Sequence, residues 1–342
     1  MKAIVFEKHG APEVLHYTDA PTPTIRSSEV LVRVRACALN HLDLWVRRGL
    51  PGVPIPLPHI PGSDVAGEVA EVGADVTTVR PGQKVVLAPG VTCGKCPACI
   101  SGHDNRCRAF TNLGYMIDGG CAEFVKVPEV NCIAYPENLT WEEAASIPLV
   151  FQTAWHMLLS RAELQPGEDV LVLGAGSGVG SAAIQIAKFF GARVIATASS
   201  QEKLDKALEL GADHVINHKT QKIKDEVRRI TAKRGVDVVF EHVGTATWDD
   251  SIASLTPGGR LVTCGATTGY DAKLDLRLLF AKQLSLMGSY MGTKSELHSV
   301  MRLVSSGRFK PIIDKIFPLS DAAAAHTYLE SGAQFGKVVL TV

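Results

Sequence analysis

From about residue 150 onward the chain alternates short apolar runs with helix-length segments, and few folds accept that pattern. VLVLG, RVIAT, HVIN, VDVVF, RLVTCG and LSLMG read as strands, while SAAIQIAKFFG and QEKLDKALELG between them have helical length. A strand that is apolar throughout has both faces buried, and an intervening helix returns the chain so that the next strand pairs in parallel. The expectation is an α/β fold with a doubly wound parallel sheet over residues 150–290. Residues 1–149 read differently. KAIVF, EVLVRVRACAL, DVAGEVAEV, QKVVLA and AEFVKV are β-type runs, punctuated by prolines at 51–61 and by glycine turns, which predicts a β-rich domain. A short helix is expected from Asn40 to Arg48. At 342 residues, two domains are expected.

Cys93, Cys96, Cys99 and Cys107 stand in CGKCPACISGHDNRC, spaced C-x2-C-x2-C-x7-C. Two-residue spacers let neighbouring thiolates reach one ion, and Gly94 and Gly102 ease the turns that such a wrap requires. Four sulfur ligands leave a tetrahedral zinc no open position, so the zinc read here is structural. Two disulfides or an iron–sulfur cluster use the same residues and stay open as alternatives.

Val170–Leu173 forms an apolar run that leads into Gly174-Ala-Gly-Ser-Gly-Val-Gly180 and then a helical segment. Glycines there allow a tight turn and close backbone approach to a pyrophosphate, which the helix start attracts. The strict G-x-G-x-x-G spacing fails in every register. The alternative is a tight turn that serves packing alone.

Composition narrows the classes. The chain has 35 basic and 35 acidic residues, 46% hydrophobic and 20% charged. No basic field is available for a phosphate backbone, so nucleic acid is not an expected partner. No apolar run has the length of a bilayer span, and the scattered Cys37, Cys121, Cys132 and Cys264 read as buried thiols in a reducing compartment. The expectation is a cytoplasmic protein without membrane association.

The order and separation of PLPHIPGSDVAGEV at 56–69, the cysteine run, DGGCAEFV at 118–125, VLVLGAGSGVG at 170–180 and FGKVVL at 335–340 resemble the medium-chain dehydrogenase/reductase superfamily. That superfamily contains zinc alcohol dehydrogenases and quinone oxidoreductases. The resemblance spans essentially the whole chain. It implies a GroES-like catalytic domain at 1–149 plus 291–342, with a zinc lobe at 93–107, and a Rossmann dinucleotide domain at 150–290. It implies cofactor contacts at His41, Thr153, Ala175, Ser177, Gly178, Val179, Gly180, Val243 and Gly265. Pairing through the edge strand Leu284–Gly288 is implied too, giving a homodimer or homotetramer. The plain readings stay open: His41 as a helix-face histidine, Thr153 as a packing residue, Asn40 as a helix cap.

The end of the second Rossmann strand selects the cofactor. An acidic residue there bonds the adenosine ribose of NAD. This chain has Ala198-Ser199-Ser200 instead, with Lys203 three residues on and His218 where related reductases contact a phosphate. Ser199, Ser200, Lys203 and His218 lead to the expectation of NADP(H), with NAD(H) the lesser choice.

At the catalytic position the family's zinc takes two Cys and one His. The resemblance aligns these with Asn40, Ser63 and Leu149, and aligns Leu42 with the family's proton-relay hydroxyl. The catalytic zinc is therefore expected to be lost, with Asn40 as oxyanion donor and Ser63 and Tyr290 as weaker candidates. Asp43 and Asp64 are expected to make internal salt bridges or hydrogen bonds with domain arginines, a nonstandard metal held by His41, Asp43, His59 and Asp64 being the lesser alternative. The leading expectation is an NADP(H)-dependent reductase of a conjugated C=C bond or a quinone. A true alcohol dehydrogenase with an atypical metal site and a non-catalytic NADPH-binding protein are the alternatives. Carbonyl, enone, quinone and alcohol compounds are the substrate classes in view.

Overall fold

The apolar runs after residue 150 form a six-stranded, all-parallel sheet in the computed structural model, which describes residues 1–342. In spatial order the strands are His214–Asn217, Arg193–Ala198, Asp169–Val172, Val236–Glu241, Leu255–Thr263 and Ser285–Gly288. Taken by chain position this is third, second, first, fourth, fifth, sixth, so the winding reverses between Asp169–Val172 and Val236–Glu241. At such a reversal the two loops leaving the strand ends diverge and leave a crevice. Leu171, Ile195, Val239 and Leu261 are buried and form the core together with Ile216 and Val227. Burial on both faces is the reason these runs are apolar without alternation. This unit spans Val150–Gly292.

The other unit comprises Met1–Leu149 and Thr293–Val342. Its seven-stranded sheet runs Ile313–Pro318, Lys337–Thr341, Glu29–Ala38, Asp64–Val72, Lys84–Leu87 and Cys132–Ala134, with Phe124–Pro128 also paired to Glu29–Ala38. The registers matter for the site. Ala38 pairs with Asp64 on one side and with Val339 on the other. The residues just beyond these pairs are thereby gathered at one end of the sheet. Beyond Ala38 the helix His41–Arg48 begins, with Asn40 at its cap position. No helix of either unit is long and apolar enough to cross a membrane.

One buried cluster in this unit links stability to pH. His326 lies fully buried in the helix Ala322–Glu330, with Nδ1 3.4 Å from Nη1 of Arg47. Arg47, also fully buried, donates to the carbonyl of Gly10 at 3.2 Å and pairs with Glu330. Burial, and then the Arg47 charge, push the His326 pKa down to about 3. The unfolded chain takes up a proton near 6.5 that the native state refuses, so stability falls as pH drops from that value towards 3. Between pH 7 and pH 4 this group alone is expected to remove about 3 kcal/mol. His326→Gln keeps an acceptor for Arg47 and should flatten the acid decline in urea midpoints. Equal declines in both proteins would count against this origin.

Candidate functional site

The glycine turn follows the central strand of the parallel sheet. Gly174 has φ 59°, and a Cβ on Gly180 would lie 2.3 Å from the Gly174 carbonyl oxygen, so the turn closes only without a side chain there. Ser177 caps the helix Gly178–Phe189, its hydroxyl accepting from the Gly180 amide at 2.9 Å. Ala175 is buried and donates its amide to the Thr197 carbonyl at 2.8 Å, while the Gly174 amide donates to the Thr197 hydroxyl at 3.2 Å. The neighbouring strand Arg193–Ala198 thus holds the turn. The first-turn amides of Gly178 and Val179 have no carbonyl to meet within the helix, and this is the end that attracts an anion. The cradle fits a pyrophosphate.

Across the winding reversal stands the loop after Val236–Glu241. The buried Glu241 carboxylate accepts from the amides of Val243 at 2.5 Å and Gly244 at 3.0 Å, and from the hydroxyls of Thr247 at 2.9 Å and Ser251 at 2.8 Å. His242 Nε2 is 2.8 Å from the Leu173 carbonyl, which assigns the proton to that nitrogen, and 3.3 Å from the Ser177 hydroxyl. Burial lowers its pKa and keeps it neutral. Gly265 packs against the His242 carbonyl, where a Cβ would come within 2.9 Å. Thr153 is buried on the helix Pro148–Trp155, its hydroxyl without a protein partner. Glu241, His242 and Thr197 escaped the sequence reading. The first two lie within the run VDVVFEHVG, where a charged residue and a histidine at the end of an apolar strand are the signal.

In the other unit, four segments far apart in the chain meet. The Asn40 amide nitrogen donates to Asp64 at 2.9 Å and approaches the Ala38 carbonyl at 3.4 Å. Lys337 Nζ donates to Asn40 Oδ1 at 2.6 Å and to Asp64 Oδ2 at 2.9 Å, and the Leu149 backbone amide donates to Asp64 Oδ1 at 2.8 Å. Asp64 and Lys337 are both buried. Asp43 ties the neighbouring loop, accepting from the backbone amides of Asn40 at 2.7 Å and Gly62 at 2.9 Å. Burial raises its pKa to about 6 against those two donors and the Lys337 charge. Ser63 is fully buried and gives its hydroxyl proton to the Leu113 carbonyl at 2.7 Å. His41 lies edge-on to Trp45, and Tyr290, in the cofactor-sheet unit, is 52% exposed. Lys337 was legible only as part of FGKVVL, a cation inside an otherwise apolar strand.

Cys93, Cys96, Cys99 and Cys107 converge, their sulfurs within 4.8 Å of one another. Their closest approaches are 3.5 Å, between Cys96 and Cys99 and between Cys93 and Cys107, a spacing that a tetrahedral zinc fits and a formed disulfide does not. His41, Asp43, His59 and Asp64 are not brought together in this way: Asp64 is committed to Lys337, and Asp43 to backbone amides.

Comparison with known proteins matches two family profiles to the chain. The family profile described as Alcohol dehydrogenase GroES-like domain matches residues 26–137, and that described as Zinc-binding dehydrogenase matches residues 178–306. A crystal structure of an NAD-dependent alcohol dehydrogenase superposes with a TM-score of 0.97 at 46% identity, covering 100% of both chains. The NAD-dependent alcohol dehydrogenase of Sulfolobus acidocaldarius is 34% identical over 100% of both chains. The quinone oxidoreductase of Rattus norvegicus is 31% identical, covering 99% of this chain and 97% of its own. The chain belongs to the zinc-type alcohol dehydrogenase and quinone oxidoreductase superfamily of medium-chain dehydrogenase/reductases. It is an NAD(P)(H)-dependent oxidoreductase.

One expectation is corrected. The preference for NADP(H) does not stand against two full-length relatives named as NAD-dependent. Of the residues that suggested it, Ser200 is engaged at a helix start and His218 is uncharged. Ser200 is the cap of the helix Gln201–Glu209, its hydroxyl accepting from the Lys203 amide at 3.4 Å. The pKa of His218 is lowered by burial and by the charges of Lys219 and Lys203, so its imidazole is neutral near pH 7.

Between Thr92 and Arg106 no residue is fully buried, so the cysteine lobe has no core and its order falls to the metal. Cys99→Ser is expected to lower both zinc content by elemental analysis and the melting temperature, while NADH still binds in a fluorescence titration. Unchanged zinc content would refute the assignment.

Proposed function

We propose that the chain catalyses the NAD-linked interconversion of a small alcohol and its carbonyl compound, with no metal at the reacting oxygen. The observation that carries this is the 46% identity, over the full length, to a solved NAD-dependent alcohol dehydrogenase. The metal-free part rests on the donor set. A bonded amide (Asn40), a hydroxyl donated to backbone (Ser63), an aliphatic side chain (Leu149) and an ammonium (Lys337) do not fit a zinc.

The bound nicotinamide accepts the hydride in oxidation and supplies it in reduction. The work left to the chain is at oxygen. Asn40 has directed its amide protons to Asp64 and Ala38, and Ser63 has given its proton to Leu113, so neither is the principal donor. Lys337 has three N–H bonds and directs two of them to Asn40 and Asp64. The third, with the ammonium charge, holds the substrate oxygen as negative charge gathers on it during reduction. In oxidation the same charge favours the alkoxide character that the alcohol must acquire. Asp64 and Asn40 fix the ammonium, and the Leu149 amide fixes Asp64. Reduction of a conjugated C=C bond or a quinone is the second reading. It is favoured by the full-length likeness to the rat quinone oxidoreductase and by the lower demand that a delocalised enolate makes on one cation.

Assays of the purified protein with both cofactors against alcohols, their carbonyl partners, enones and quinones test this. Alcohol oxidation with NAD and carbonyl reduction with NADH are expected, at one zinc per chain, and Lys337→Gln should lower kcat/KM roughly a hundredfold. Turnover confined to enones and quinones would transfer the conclusion to the second reading. Two zincs per chain would refute the metal-free oxygen site.

We further propose that two chains pair through the edge strand Ser285–Gly288, which bonds on one side only, to Leu255–Thr263. Leu276 at 65% and Phe280 at 71% exposure, on the helix preceding that strand, supply apolar surface for a second copy. Light scattering at micromolar concentration should give a multiple of the chain mass. A monomer there would refute the pairing.

A further inference from the structure

The lobe that carries the four cysteines is fastened at two points by one side chain outside it. Lys294 Nζ donates to Asp104 Oδ2 at 3.0 Å and to the Thr92 hydroxyl at 3.2 Å, and its backbone amide donates to Asp104 Oδ1 at 3.2 Å. Thr92 immediately precedes Cys93, and Asp104 lies three residues before Cys107, whose amide donates to the Asp104 carbonyl at 3.0 Å. Both ends of the metal wrap are therefore held by the same residue. The side chains of Lys294 and Asp104 are only 16% and 15% exposed, so this ion pair is less screened than a surface one.

Lys294 also occupies a particular place in the chain. The Val150–Gly292 unit ends two residues earlier, and Thr293 caps the helix Lys294–Ser305 by accepting from the Glu296 amide at 3.2 Å. Lys294 is thus the first residue of the helix that carries the chain back into the first unit. Its backbone amide is one of the helix-start donors without an intrahelical partner, and Asp104 accepts it where the helix dipole favours a carboxylate. On the other side of the crossover, Gln152 Nε2 donates to the Gly292 carbonyl at 3.0 Å.

We propose that Lys294 is a positioning residue that makes the order of the crossover at 288–297 depend on metal in the cysteine lobe. The lobe has no core, so thiolate–metal bonds fix where Asp104 and Thr92 stand. Those two groups in turn fix the first turn of the returning helix. Metal occupancy is then felt at the start of the helix Lys294–Ser305, without Lys294 touching the metal.

Hydrogen exchange with mass spectrometry on the full chain tests this, using zinc-loaded and chelator-stripped, reduced protein, with zinc content measured in each sample. Stripping the wild type should accelerate exchange over 288–297 roughly fivefold. Zinc-loaded Lys294→Met should show most of that acceleration at wild-type zinc content, and stripping it should add little there, since only the backbone amide still reaches Asp104. Lys294→Arg should restore most of the protection. If Lys294→Met fails to fold, Asp104→Ala removes the acceptor of both Lys294 bonds from the lobe side and is expected to give the same pattern. The proposal is overturned if the zinc-loaded variant keeps wild-type protection, or if stripping accelerates the crossover equally in wild type and variant. It is overturned equally if the native protein holds no zinc.

Discussion

A buried ammonium cannot stand without its carboxylate, and the pair Lys337–Asp64 imposes that constraint on the first unit. Removing one partner of a buried pair typically costs about 3–5 kcal/mol, because the other charge remains with nothing to meet it. The pair ties the strand Lys337–Thr341, near the C-terminus, to the strand Asp64–Val72, and the strand Glu29–Ala38 lies between them in the sheet. Asn40 then bridges the two charges, and the Leu149 amide completes the shell around the carboxylate. Lys337, proposed above to hold the reacting oxygen, is thus fixed by the same contacts that tie this end of the sheet together.

Legibility in the sequence differed by the kind of interaction involved. The parallel sheet was readable because double-sided burial leaves an unbroken apolar signature, as in VLVLG and VDVVF. The cysteine cluster was readable because its ligands are local, all within CGKCPACISGHDNRC. The polar centre around Asp64 was not. Its partners Asn40, Leu149 and Lys337 are separated by 24, 85 and 273 positions, and a backbone donor such as the Leu149 amide has no sequence signature at all. Asn40 was singled out for what it replaces, yet its bonds are already made. Lys337 stood unremarked in FGKVVL.

The cofactor correction has the same root. Ser199, Ser200, Lys203 and His218 read as donors by residue type, whereas binding depends on protonation and on the contacts each group makes. A histidine left neutral by its surroundings contributes less to binding a dianion than its letter suggests. The crevice side of the sheet shows the converse. Glu241, unremarkable as a letter, gathers two amides and two hydroxyls and fixes the loop that carries Val243 and Gly244.

That four-fold grip has a consequence for recognition. Ordering a flexible backbone costs about 1–2 kcal/mol per residue, and a loop that freezes only on contact subtracts this from affinity. The loop after Glu241 carries its own internal anion, and its conformation is set by the protein before any ligand arrives. A ligand that contacts this loop would meet a surface whose entropy was surrendered during folding, and the free energy of contact would go into affinity instead of into ordering the loop.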